Sequence, residues 1–221
     1  MINKLTTSFE EAVSVITSGS TVLVGGFGDI GVPWRLCEVL ARRELEDLTI
    51  VANNAGTGET GLSCLFKHGC VSHLIASFPS QTGADHFFRA HSDGEVEVEV
   101  TPQGTLAERL RAGGSGLAGF FTPTGYGTEL TEGKETRIID GRGYVYERAI
   151  TADFALIRAH RADRFGNLRY RLASRNFNPL MAMAARHTIA EVDQVVPLGQ
   201  IEPDDVHTPG VYIDQIVECA A

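Results

Sequence analysis

The 221-residue sequence predicts an α/β fold, an open and mostly parallel sheet flanked by helices, and three observations carry that prediction. Short aliphatic runs at Thr21 to Val24, Leu48 to Ala52 and Val71 to Ser77 each lead into a segment of helical periodicity. These runs are apolar at successive positions instead of alternating, as strands covered on both faces must be. The composition is that of a globular chain, 43% hydrophobic and 21% charged, which excludes disorder, collagen-like repeats and coiled coil.

The elements follow in order. Ser8 with Glu11 three residues on forms a capping box, which predicts a helix from Phe9 to Ser18. Pro33 opens a second amphipathic helix running to Arg43, and Thr60 to His68 and Ala84 to His91 continue the alternation. Glu95 to Val100 alternates acid and valine, so that strand has one wet face and belongs near an edge. It passes through Thr101-Pro102-Gln103-Gly104 into a helix ending near Gly113. From Gly113 to Gly133 turn formers dominate, which predicts a loop. Thr136 to Ile139 and Tyr144 to Glu147 flank Asp140-Gly-Arg-Gly143 and predict a small inserted β-hairpin. A strand at Phe154 to Ala159, a helix at Pro179 to Arg186 and strands at Glu191 to Val196 and Val211 to Val217 complete the chain. No linker composition or internal repeat divides it, so residues 1–221 are expected to form one domain.

The charge balance narrows the function. Lys plus Arg number 19 against 28 Asp plus Glu, a net −9 that argues against nucleic acid and anionic membranes as partners. No apolar run reaches the 18 or so residues of a spanning helix, and the N-terminus lacks a signal-peptide core, so a cytoplasmic location is expected. Cys37, Cys64, Cys70 and Cys219 lack the spacing of a metal site, and the seven histidines include no HExxH, so no metal is expected.

Four segments carry polar groups that chemistry could use. Gly25-Gly26-Phe27-Gly28-Asp29-Ile30-Gly31 lies between a buried strand and the helix opened by Pro33, where backbone N–H groups and the helix dipole favour an anion. Its spacing fits neither the dinucleotide GxGxxG nor the P-loop, and a tight turn explains it equally well. Gln103 lies at the carboxyl end of a strand, where open α/β sheets hold ligands, and its neutral amide can donate to a developing oxyanion; a plain turn residue is the alternative. Asn53 and Asn54 end the second strand at the same rim, and Arg175 with Asn176 and Asn178 precedes a late helix, where Arg175 suits a carboxylate and Asn178 suits a helix cap. There is no GxSxG, no evident Cys–His pair and no loop lysine placed as a nucleophile, so an acyl-transfer reaction would need a nucleophile from another chain.

Taken together, these segments resemble the family I CoA-transferases, and specifically the A subunit of the 3-oxoacid branch. The resemblance rests on Thr21-Val-Leu-Val-Gly-Gly-Phe-Gly-Asp-Ile-Gly-Val-Pro33, Thr101-Pro-Gln-Gly-Thr-Leu-Ala-Glu-Arg109, Gly113 to Gly116, Thr122 to Gly127, Ala152 to Ile157, Asp163 to Asn167, Arg175-Asn-Phe-Asn-Pro179 and His207-Thr-Pro-Gly210, in the family's order. Asn53-Asn-Ala-Gly-Thr-Gly58 and Ser77-Phe78-Pro79 are most similar to the members acting on 3-oxoadipate, with acetoacetate-directed relatives sharing the other blocks.

The resemblance implies a CoA-transferase sheet of the NagB/RpiA-like type and a ping-pong exchange of CoA between succinyl-CoA and a 3-oxoacid. It implies no tightly bound cofactor, the CoA thioester being a substrate. It also implies a B subunit, assembled as a heterodimer or α2β2 tetramer, whose glutamate is the nucleophile. By the same resemblance Gln103 stabilises the oxyanion, Gly25, Gly26, Phe27, Gly28, Asp29, Ile30 and Gly31 receive CoA, and Asn53, Asn54 and Arg175 face the oxoacid. Phe120, Phe121 and Tyr126 are candidates for the subunit interface. The rivals are an acetoacetate-directed transferase, a non-catalytic CoA or sugar-phosphate binding module on the same fold, and a hydrolase.

Overall fold

In a computed structural model that describes residues 2–219, the alternation of strand and helix builds an eight-stranded sheet between two helical layers. The first half runs α1 (Phe9–Val13), β1 (Thr21–Val24), α2 (Trp34–Ala41), β2 (Leu48–Ala52), α3 (Ser63–Lys67), β3 (Val71–Ala76), α4 (Asp85–Ser92), β4 (Glu97–Val100) and α5 (Gln103–Gly114). The chain then forms β5 (Gly119–Thr122), β6 (Thr136–Ile139) and β7 (Arg142–Arg148) before returning through β8 (Ala152–Asp163), β9 (Leu168–Arg169), α6 (Asn178–Ala184), β10 (Ala185–Val196) and β11 (Gln215–Glu218).

The strand order is β11-β10-β8-β1-β2-β3-β4, parallel throughout, with β9 antiparallel to β8. From β1 the chain steps outward to β4, then crosses back to β8 and steps outward the other way. Helices α1 to α4 therefore cover one face and α5 and α6 the other, as right-handed crossovers in opposite directions require. The strand side chains divide accordingly: Val22 and Val24 enter the first core, Leu23 the second. The order reverses between β1 and β8, and an open α/β sheet places its ligand crevice at the carboxyl ends of such a pair.

Several expectations are corrected. Helix α1 stops at Val13, where the Ser14 hydroxyl donates to the Glu11 carbonyl (2.7 Å) and competes with the helical ladder. Ser8 caps the helix as expected, but the Glu11 carboxylate accepts from the Thr7 N–H, so the box is only half formed. The 113–133 segment holds a strand: β5 pairs with β7, and the insertion is a three-stranded antiparallel sheet, β5-β7-β6, in place of a bare hairpin. Its Gly- and Pro-rich surroundings masked a pairing that only β7 supplies. The β6–β7 turn is Asp140-Gly141, both in the left-handed region, the geometry that a two-residue hairpin loop demands. Strands β8 and β10 run 12 residues each, longer than the apolar runs alone indicate, because ten residue pairs join them. Residues Gly210–Tyr212 form a 3-10 turn, and the last strand starts only at Gln215.

Leu156 is fully buried on β8 within the first core. Leu156→Ala is expected to cost about 2–5 kcal/mol. Urea unfolding would read this as a lower midpoint with an unchanged m-value.

Candidate active site

The carboxyl ends of β1, β2, β3 and β4 set four consecutive loops along one rim, and the sequence-predicted residues fall on them unevenly. After β1, the glycine segment folds into a tight two-residue turn: Phe27 N–H donates to Ile30 O (3.0 Å) and Ile30 N–H to Phe27 O (3.1 Å). Asp29 and Ile30 are exposed at its tip. Two of its glycines are demanded by the chain itself. A Cβ on Gly25 would lie 1.9 Å from Asn178 Oδ1, and one on Gly26, at φ +123°, would lie 2.5 Å from Val32 Cγ2. Close packing inside the protein thus accounts for these two glycines without a ligand.

Asn53 and Asn54, after β2, are buried, and their amides are engaged within the rim. Asn53 Nδ2 donates to Ser77 Oγ (2.8 Å); Asn54 Nδ2 donates to Gly28 O (3.2 Å), and Asn54 Oδ1 accepts from Gly56 N–H (2.8 Å). They join the loops after β1, β2 and β3. Gln103 is the first residue of α5, one position further into the helix than a turn, and it is exposed. Its side-chain amide has no hydrogen-bond partner among the described residues. The turn beneath it is held by Arg109, whose guanidinium donates to Thr101 Oγ1 (3.1 Å), to the Glu99 carboxylate and, through Nε, to Arg148 O (2.9 Å). Arg109 thereby ties the inserted antiparallel sheet to the rim.

Arg175 lies on the opposite side of the glycine loop, in the 3-10 turn Leu172–Arg175 that follows β9. Gln103 follows β4, three strand spacings or about 14 Å from β1, so the structure does not bring Gln103 and Arg175 into contact. Arg175 is exposed, and after burial its charge is the next cause that holds the His207 imidazole below its ordinary value.

Sequence reasoning missed the groups that anchor this rim. Asn178 does not cap α6; Phe177 occupies that position, and the fully buried Asn178 amide instead bonds Gly31 O (3.1 Å), Ser174 O (2.9 Å) and, as acceptor, Arg158 N–H (2.9 Å). Glu191, on β10 and 0% exposed, accepts from the Leu36 N–H (3.1 Å) and the Arg35 N–H at the start of α2, and pairs with Arg158 (3.1 Å). The positive end of α2 is therefore met by the protein's own carboxylate. A lone acid within Thr188-Ile-Ala-Glu-Val192 was the signal for it. Arg158 also binds Asp193 (2.7 Å), which accepts from His160 as well (3.1 Å).

Among the described residues no cluster of three His, Cys, Asp or Glu side chains is placed to hold a metal ion, and no helix is long and apolar enough to cross a membrane.

Residues 6–219 match the Coenzyme A transferase family. The chain belongs to that family. It is 54% identical to the A subunit of the 3-oxoadipate CoA-transferase of Pseudomonas putida over 217 residues, which are 98% of this chain and 94% of that one. It is 46% identical to the alpha subunit of the acetate CoA-transferase of Escherichia coli over 98% of this chain and 97% of that one. The fold superposes on a crystal structure of an acyl-CoA transferase from E. coli O157:H7, a thioester complex with CoA, at TM-score 0.85 and 22% identity; the match covers 99% of this chain and 47% of that chain. The chain thus spans about half the length of that protein. Glutaconate coenzyme A-transferase of Acidaminococcus fermentans superposes at TM-score 0.83 and 20% identity, over 98% of this chain and 75% of that one. The mostly parallel sheet with helices on both faces is thereby a fold found in CoA-transferases.

Burial pushes the Glu191 carboxyl above its ordinary value, with the α2 amides and Arg158 pulling the other way. The folded protein then keeps this proton where the unfolded chain has released it, so the contribution to stability is greatest at low pH and falls as pH rises through the raised value. The stability of the wild type minus that of Glu191→Gln is expected to shrink between pH 4.5, the ordinary glutamate value, and neutrality. Thermal unfolding of both proteins across that range measures it, and a difference that stays flat or grows would contradict the raised value.

Proposed function

We propose that this chain is the A subunit of a succinyl-CoA:3-oxoadipate CoA-transferase. The observation that carries the reading is the 54% identity, across 98% of the chain, to the P. putida subunit of that name. A 49% identity to the corresponding 3-oxoadipate CoA-transferase subunit of Acinetobacter baylyi points the same way, while succinyl-CoA:3-ketoacid relatives from Helicobacter pylori stand at 44%.

The nucleophile in this proposal is a glutamate of a partner B subunit, which attacks the thioester carbonyl of succinyl-CoA. The tetrahedral oxyanion collapses, expelling CoA thiolate and leaving a succinyl-glutamyl anhydride. The thiolate then attacks the glutamyl carbonyl, releasing succinate and forming a glutamyl-CoA thioester. The 3-oxoadipate carboxylate reverses these steps and departs as its CoA thioester, restoring the glutamate. One thioester is exchanged for another, so no nucleotide or metal is needed to drive the exchange. What catalysis demands is stabilisation of the anionic intermediates away from water.

The residues fit distinct parts of this work. Gln103, exposed and without a partner in its own chain, donates its side-chain N–H to the oxyanion. The Gly25 to Gly31 loop receives the CoA moiety, and Arg175 pairs with the distal carboxylate of the oxoacid. Asn53 and Asn54 shape the oxoacid side of the rim through the loops they join. The B subunit would cover this rim, where Phe27, Ile30, Phe78 (59% exposed), Val100 and Leu172 (88% exposed) stand in solvent around the glycine loop and the end of β4.

Co-expression with the companion B subunit, followed by a succinyl-CoA assay offering 3-oxoadipate and acetoacetate separately, tests the reading. Activity is expected only from the mixture and higher with 3-oxoadipate. A preference for acetoacetate would move the substrate to the other branch, and activity from this chain alone would overturn the split site. In the assembled enzyme Gln103→Ala is expected to lower kcat about 10²-fold or more while assembly persists, as for other oxyanion donors. Unchanged turnover, with size-exclusion chromatography confirming assembly, would remove Gln103 from the mechanism.

A further inference from the structure

The glycine loop is held by three amide side chains, and each holds it by a carbonyl. Asn54 Nδ2 donates to Gly28 O (3.2 Å), Asn176 Nδ2 to Ile30 O (2.9 Å) and Asn178 Nδ2 to Gly31 O (3.1 Å). A trans peptide is planar, with the C=O of one residue and the N–H of the next pointing in opposite directions. Fixing those three carbonyls therefore fixes the N–H groups of Asp29, Gly31 and Val32. Because Asn176 and Asn178 belong to one segment, the N–H groups of Gly31 and Val32 both turn away from it, side by side. Among the described residues none of these three N–H groups finds an acceptor, whereas those of Gly25, Phe27 and Ile30 do. Consecutive N–H groups directed to one side form a concavity suited to an anionic oxygen.

We propose that Asn178, assisted by Asn176, is a positioning residue that aims the Gly31 and Val32 N–H groups at an anionic oxygen of the CoA thioester. The inference rests on the transferase reading above and deepens it. Asn178 suits the task because its side chain is pinned at both ends. Oδ1 accepts from Arg158 N–H on β8, while Nδ2 also donates to Ser174 O, so the amide plane cannot rotate without losing several bonds. The backbone of β1 continues the brace, with Gly25 N–H donating to Leu156 O (2.9 Å) on the same strand β8. The start of α2 is engaged by Glu191, so donors for a ligand on this loop come from the loop's own peptides.

The test uses two variants, Asn178→Asp and Asn176→Ala, each in the chain assembled with its B subunit. The first keeps the shape of the side chain and its acceptor for Arg158 but removes the donors. The second removes only the bond to Ile30 from a half-buried position. Calorimetric binding of CoA, steady-state kinetics with succinyl-CoA, and hydrogen exchange of residues 25–32 are measured on each. Expected are faster exchange confined to the loop, CoA binding and KM for succinyl-CoA weakened about tenfold or more, and kcat lowered less than threefold. Faster exchange with CoA binding unchanged would overturn the proposal, as would a loss in kcat alone. If Asn178→Asp fails to fold, Asn176→Ala decides by the same criteria. A wild type that binds CoA yet transfers none would defeat the transferase reading, and weaker binding by the variants would still support the proposal.

Discussion

Between β1 and β8 the strand order reverses, and the chain fills the gap between their carboxyl ends with the side chain of Asn178. That amide reaches the β8 backbone, the glycine loop and the segment before α6 at once, which is why Gly25 has no room for a Cβ. A buried amide with unmade bonds would cost about 1–3 kcal/mol. Its partners therefore restrain one another: shifting the glycine loop would break bonds in β8 and in the 172–176 turn together. The rim is rigid at its centre for that reason, and it is built before any ligand arrives.

Glu191 imposes the second constraint. A glycine-rich turn followed by a helix invites comparison with phosphate-binding loops, in which the helix N-terminus faces the anion. Here the first amides of α2 face a carboxylate from β10, and Arg158 neutralises it from β8. Burial that would otherwise expel this charge is offset by the helix terminus and the guanidinium. The helix dipole is spent on holding α2 against the sheet, and recognition at the loop falls to its own peptide groups.

The sequence made the alternation of strands and helices legible because apolar runs and helical periodicity are local signals. It located the rim as well, since glycine, asparagine and proline cluster where strands end. It did not disclose β5, whose existence depends on β7 some twenty residues later. Nor did it disclose the work of Asn178 or Arg109, because an amide before a helix and an arginine in one both have ordinary local explanations. Both act through partners far away in sequence, and only the closed sheet brings those partners within reach.

The same side-chain chemistry meets opposite fates along the rim, and strand position decides which. Asn53 and Asn54 follow β2, an interior strand flanked on both sides, and neighbouring loops consume their amides. Gln103 follows β4, the edge strand, where no further loop of the parallel sheet lies beyond it and the amide is left without a partner. A donor meant for a reaction shared with a second subunit is best placed where its own chain makes no claim on it. The edge of the sheet offers that freedom, while Arg109, braced by Thr101, Glu99 and Arg148, keeps the turn beneath Gln103 from moving with it. On the proposed reading, the division of the site between two subunits follows from this placement: the rigid centre of the rim belongs to this chain, and its open edge is completed by the other.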